Sequence, residues 1–458
     1  MKKNILMLLL FFIFNNIIFA GTGADVSDKV PDILIVIPFV ILLLMIATGP
    51  IFYHHFWEHN YPKISIGLGL ITVLYYIFAL KDFYSLNHTL IEYISFIALL
   101  SSLYMAAGGI LIKIDKKATP LFNTLLLLFG AVIANMIGTT GASMLLIRPY
   151  IRMNKDRIKT YHIIFFIFIV SNIGGALTPI GDPPLFLGFL RGIEFFWFFN
   201  NLFSAWFLGI VLILAIFFII DSKNKTSKEP ADVVYSGKFE FKGLKNLIYL
   251  IVILISVFLD PNIISWVPNL YNYVPFGIRE IIMFSVVFLS IKTADKSILK
   301  ENDFNYEPIK EVAFLFVGIF ATMIPALQLI SYEAKVYSQE LNVSIFYWAT
   351  GTLSGFLDNA PTFLNFFAAQ MAKFGLDLSN KSDVMKLATE HSIYLHAISV
   401  AAVFFGAMTY IGNGPNFMVK AISEKYGIKM PSFFEYVYKF SLPILIPVFT
   451  IIYFVFYF

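Results

Sequence analysis

The chain has 458 residues, of which 59% are hydrophobic and 14% charged, and its mean hydropathy is +0.78. Too little polar surface remains to cover a water-soluble particle of that size, so the solvent is lipid. The net charge of +4 does not signal nucleic acid, because the basic residues lie in short loops between apolar runs, and with no cysteine and seven histidines lacking compact metal spacing, neither thiolate chemistry nor a metalloenzyme is supported.

Taken in chain order, Lys2 and Lys3 precede an apolar run from Ile5 to Phe19 and the small residues Ala20, Gly21 and Gly23. Residues 1–20 therefore read as a secretory signal cleaved after Ala20, or as an uncleaved extra helix with its amino end in the cytoplasm. Straight spans are predicted at 33–52, 64–80, 93–112, 203–220, 246–259, 281–291, 312–332 and 440–458. Residues 121–147 lie between two basic loops, 113–117 and 148–159, which puts both ends on the cytoplasmic side and predicts a re-entrant hairpin. Residues 341–372, interrupted by Asp358, Asn359 and Pro361, mirror it from the opposite face. Residues 160–190 and 391–419 read as discontinuous helices.

Under this threading the loops 113–117, 148–159, 221–245, 292–310 and 420–439 hold 22 Lys and Arg, and Lys63 adds another in an inside loop, 53–63. The outside loops hold seven, which is the asymmetry the positive-inside rule requires. The polar stretch 221–245 reads as a cytoplasmic linker between a first repeat, 33–220, and a second, 246–458. Five crossings per half is an odd number, so the second half inserts upside down.

The repeat is visible in letters. Gly175-Ala-Leu-Thr-Pro-Ile-Gly-Asp-Pro-Pro-Leu-Phe186 matches Gly406-Ala-Met-Thr-Tyr-Ile-Gly-Asn-Gly-Pro-Asn-Phe417, as duplicated transporter halves do at their unwound segments. The predicted fold is all-α: a polytopic membrane protein of two inverted repeats, each with a re-entrant hairpin and a discontinuous helix.

A helix broken inside lipid leaves carbonyls and amides unsatisfied, so the breaks must line a cavity or a protein interior, and they mark the site. Gly181 and Gly412 permit close backbone approach, Pro183, Pro184 and Pro415 stop the ladder, and Thr178, Thr409, Asp182 and Asn413 supply oxygens. The hairpin tips add Asn135, Thr139, Thr140 and Ser143 in one half and Asp358, Asn359 and Thr362 in the other. Asp182 and Asp358 are the two acids deep in apolar stretches, where an ionised carboxylate must bind a cation or take a proton. Competition of Na⁺ with H⁺ at such a group is what an antiporter needs; the alternative is that these residues only cap half-helices. His162, His391 and His396 lie in the broken spans, as proton relays or as packing residues. Arg148 is the one candidate for an anion clamp, and as the first charge of a basic loop it reads instead as a topology anchor.

These residues resemble the ion transporter superfamily of NhaD-type sodium/proton antiporters, citrate and dicarboxylate carriers and arsenite pumps, over nearly the whole length. Ser171-Asn-Ile-Gly-Gly-Ala-Leu-Thr-Pro-Ile-Gly-Asp182 is similar to the NhaD-type segment, and Leu357-Asp-Asn-Ala-Pro-Thr362 to its second hairpin tip. The resemblance implies Na⁺ ligation near Asn172, Asp182, Asp358 and Asn359, and elevator-like movement against a dimerising scaffold. Two departures stand out. Ala134 precedes Asn135 where NhaD-type tips have an Asp-Asn pair, and Pro183-Pro184 replaces their Thr-Thr. The carboxylate carriers' Ser-Asn-Thr is not reproduced at either tip.

The functional expectation is exchange of Na⁺ for H⁺ across a bacterial inner membrane by a multi-pass homodimer, with no cofactor beyond the transported ions and no enzymatic step. The alternative is cation-coupled citrate or dicarboxylate transport on the same fold. A buried Asp at the site repels a polycarboxylate, which favours the cation.

Overall fold

The computed structural model describes residues 31–224, 237–261 and 263–458. The leader expected over 1–20 and residues 225–236 of the expected linker lie outside the described residues.

Among these, seven helices are long and apolar enough to cross a membrane, or eight if the bent pair Lys381–Glu390 and Ser392–Met408 is one span. The chain is an all-α polytopic membrane protein. Its only strands among the described residues, Leu111–Ile114 and Phe239–Lys242, pair antiparallel. They tie the end of the linker to the segment after the third span, where the sequence predicts the end of the span 93–112 and loop.

The boundaries differ from the predicted ones where polar residues are drawn into helices. Of the loop expected over 53–63, residues 54–63 belong to the helix His54–Tyr75, and only Tyr53 separates it from the preceding helix, Ile37–Phe52. The third span starts at Phe83, not 93, because Asp82 accepts the Ser85 N–H and caps it. The last helix of the first half starts at Phe195 and runs to Ser222. Helices Lys245–Val257 and Ile278–Lys292 occupy the predicted spans 246–259 and 281–291 but have only 13 and 15 residues. Lys381–Glu390, expected as loop, is an amphipathic helix that meets Ser392–Met408 at 94°.

Residues Pro120–Met153 form a helix interrupted at Gly138, whose φ of +77° is a conformation that glycine tolerates. The segment folds back there. Asn123 and Asn154 exchange side-chain amide hydrogen bonds, each 2.9 Å, across 31 residues, whereas a straight helix would hold them about 46 Å apart. The second hairpin, Val343–Phe356 and Asn359–Lys373, turns at Leu357–Asp358. Phe346 packs edge-on against Phe366 across it, and the Lys373 ammonium reaches the Ser338 carbonyl at its base.

Packing runs in exchange between the halves. The third span of the first half, Phe83–Gly108, packs on Ile278–Lys292 of the second, while Glu307–Val336 packs on His54–Tyr75. The half-helix Pro183–Arg191 lies on the second hairpin, and Gly414–Lys425 lies on the first. The broken helices sit innermost: every residue from His162 to Ile169 and from Leu395 to Phe405 is buried. A helix apolar on all sides belongs in such a place, and there its interrupted ladder is shielded from lipid.

Candidate functional site

The breaks are built by mutual approach of backbone. A Cβ on Gly181 would stand 2.1 Å from the Gly175 carbonyl oxygen, and one on Gly412 2.6 Å from that of Gly406. Each hairpin tip then docks on a break through one backbone bond. Thr139 N–H donates to the Gly181 carbonyl at 2.8 Å, and Asn359 N–H to the Gly412 carbonyl at 3.2 Å. Each tip thus faces the break of its own half.

Asp182 lies at the centre, 1% exposed. Its Oδ1 accepts from the Thr139 hydroxyl and the Asn413 amide, each at 2.8 Å, and its Oδ2 accepts from the Asn359 amide at 2.6 Å. The donors come from the first tip, the second break and the second tip, so neither half completes the site. Asp182 heads the helix Pro183–Arg191, yet its side chain makes no capping bond there. Asp358 does cap, accepting the Ala360 N–H at 3.0 Å, and it is only half-buried. The two acids paired by the sequence reading thus have different settings.

The remaining predicted residues organise this centre. Asn135 accepts the Leu177 N–H at 2.8 Å and donates to the Gly174 carbonyl at 2.7 Å, which fixes the first break against its tip. Thr178 donates to the Asn135 carbonyl at 2.6 Å and accepts from Gly181 N–H. Thr409 accepts the N–H groups of Ile411 and Gly412. Thr362 donates to the Asp358 carbonyl and Ser143 meets Ser171 at 2.8 Å, so neither touches the carboxylate.

Asn172 donates to Asn416 Oδ1 at 2.7 Å, and Asn416 in turn donates to the carbonyls of Gly406 and Thr409. Sequence comparison passes over Asn416 because its counterpart in the first motif is the apolar Leu185. The Oδ1 atoms of Asn172 and Asn359 are buried with no hydrogen-bond donor. Both side chains converge over Gly406, where a Cβ would lie 3.0 Å from Asn172 Oδ1 and 3.4 Å from Asn359 Nδ2. Buried amide oxygens without donors are groups of the kind that a hard cation takes as ligands.

The histidines sit elsewhere. His162 Nε2 is 3.0 Å from Asp221, in a buried cluster with Arg157, Tyr161 and Asn123 under the first hairpin. His391 stacks on Phe374, and His396 bonds the Tyr457 hydroxyl at 2.7 Å. Arg148, expected as a topology anchor, has a side chain that is 4% exposed and turned into the protein. No group of three or more His, Asp or Glu that could hold a metal ion occurs among the described residues.

Two openings flank the layer that carries Asp182. On the face assigned to the outside, a cavity of about 430 Å³ lies between the third spans of both halves and the end of the second hairpin, with Ser85, His88, Arg191, Gln328 and Lys335 in its wall. Beside the first tip, Leu103, Tyr104, Thr140, Gly181 and Pro183 line a crevice of only about 10 Å³.

A family model described as "Putative citrate transport" matches residues 27–457, nearly the whole chain. No curated protein matches it.

Proposed function

The chain belongs to the "Putative citrate transport" family, and from that footing we propose that it is a secondary transporter of the bacterial inner membrane that exchanges Na⁺ for H⁺ at Asp182. The observation that carries this reading is the three-donor cradle around a carboxylate 1% exposed. A buried carboxylate is costly unless neutralised, and Na⁺ or H⁺ can each do so. The donors hold the carboxylate in place without supplying charge, so the choice of cation stays open to both. The orphaned oxygens of Asn172 and Asn359 add ligands that a proton does not need and Na⁺ does. Asp358 lies one residue from Asn359 and supplies a second carboxyl group near the same tip.

In this reading the hairpins and broken helices move as one layer against the third spans, and the 430 Å³ cavity is the outer approach. A test is direct: in proteoliposomes bearing an imposed pH gradient, Na⁺ and Li⁺ dissipate the gradient, and citrate alone does not. A gradient untouched by Na⁺ contradicts the proposal.

A second reading is favoured by the family's description and by the buried guanidinium of Arg148. In it the Asp182 cation is retained and drives a carboxylate instead of a counter-moving proton.

A further inference from the structure

Arg148 and Arg152 stand one helical turn apart on the second arm of the first hairpin, on the same face. Arg148 is buried, yet poorly matched. Its Nη1 and Nη2 reach only the carbonyls of Met144 at 3.3 Å and Asp303 at 3.5 Å, and its Nε has no partner. The nearest carboxylate oxygen, from Asp303, is 4.0 Å from Nε and belongs to a side chain 63% exposed. Arg152 donates to the Glu301 carbonyl at 3.0 Å and to the Tyr426 hydroxyl at 3.1 Å. Among the described residues it has no carboxylate partner within 4.0 Å. The Glu301 carboxylate is engaged by Lys113 at 2.6 Å, and that bond holds its carboxyl below the usual range.

A buried guanidinium ordinarily meets a carboxylate in a two-pronged bond, and leaving it unmet is expensive. Here two guanidinium groups and a tyrosine hydroxyl with a proton to give converge where such a partner is missing. The place is connected to the ion site by two helices. The first-hairpin arm runs from Thr139 to Arg148 over about 14 Å, and Gly414–Lys425 carries the chain from Asn413 to Tyr426 over about 20 Å.

We propose that Arg148, Arg152 and Tyr426 form a cytoplasmic-side subsite for a polycarboxylate anion, which Asp303 occupies weakly when no anion is present. One carboxylate of the anion takes Arg148 by displacing Asp303, and a second takes Arg152 and the Tyr426 hydroxyl. Asp303 lies at the start of the connection into Glu307–Val336, and its largely exposed side chain is free to leave Arg148 without breaking a hydrogen bond of its carboxylate to it. This inference rests on the carboxylate reading of the transporter.

The experiment titrates the full chain in lipid nanodiscs with citrate, and separately with inorganic phosphate. Citrate is expected to bind the wild type. Arg148→Lys keeps the charge but loses the fork and weakens binding about tenfold or more, and Arg152→Gln weakens it in the same direction. Asp303→Asn removes the internal competitor and tightens it. Should Arg148→Lys fail to fold, the sign of the Asp303→Asn effect decides. Citrate affinity unchanged in these variants overturns the subsite, and if the wild type nonetheless carries citrate, the carboxylate reading survives. Phosphate binding as tight as citrate also overturns the subsite. A folded wild type that exchanges Na⁺ for H⁺ but neither binds nor carries citrate overturns both.

Discussion

Asn359 and Asp182 are 177 residues apart in the chain, and the amide of one donates to the carboxylate of the other at 2.6 Å. The bond joins the tip of the second hairpin to the break of the first half. Replacing Asn359 by Ala removes a charge-assisted donor of about 1.5–3 kcal/mol and one of the two orphaned oxygens. Half-saturation by Na⁺ is expected to rise about tenfold or more, measured as the Na⁺ dependence of transport in proteoliposomes. An unchanged Na⁺ dependence removes Asn359 from the site.

The two glycines near the second break make opposite predictions. A Cβ on Gly412 would collide with the Gly406 and Ser354 carbonyl oxygens at 2.6 and 2.8 Å, whereas one on Gly414 meets nothing within 4 Å. Gly412→Ala should cost about 1–3 kcal/mol and abolish transport; Gly414→Ala should leave both the melting temperature and transport near wild type. Equal effects would mean that the break is not closely packed.

Hairpin topology is open to labelling because the chain has no cysteine of its own. Single cysteines at the exposed positions of Lys116 and Lys155 should both react with an impermeant reagent from the cytoplasmic side. Reaction from opposite sides contradicts a hairpin that returns to its own face.

In the conformation described, Arg191 and Glu92 join the outer end of the helix Pro183–Arg191 to the third span. Arg191 Nε lies 2.5 Å from Oε1 and Nη2 donates to Oε2 at 2.8 Å, with both side chains under a tenth exposed. Removing one partner of a buried pair costs about 3–5 kcal/mol, so Glu92→Gln should lower the melting temperature strongly. Exchanging the two charges should recover part of the loss. No change in melting would mean that the pair is not held in the membrane-embedded protein.

Much of this arrangement was legible in the sequence because broken helices carry their own punctuation. Gly181, Gly412 and the flanking prolines announce the breaks, and the basic loops around 121–147 announce a turn-back that the Asn123–Asn154 amide pair realises. What escaped was set by partners distant in the chain. Asn416 has no polar counterpart in the first motif, and its role comes from Asn172, 244 residues away. Arg148 reads as an anchor by its place in a basic loop, and only packing turns it inward. The helix Lys381–Glu390 has a polar composition that hydropathy reads as loop, and the pairing of Leu111–Ile114 with Phe239–Lys242 depends on register across the linker.

The most direct test of the central claim is the coupling activity of Asp182→Asn, measured as Na⁺-driven proton movement in proteoliposomes at matched membrane abundance. The amide keeps the size of the side chain while removing both the titratable proton and the charge that offsets Na⁺ dehydration. Asn413 already holds the matching position in the second half, so the frame accepts an amide there. The account predicts a folded protein in which Na⁺ no longer moves protons at any pH. Retention of pH-dependent Na⁺ exchange by the variant would contradict it and pass the coupling role to Asp358.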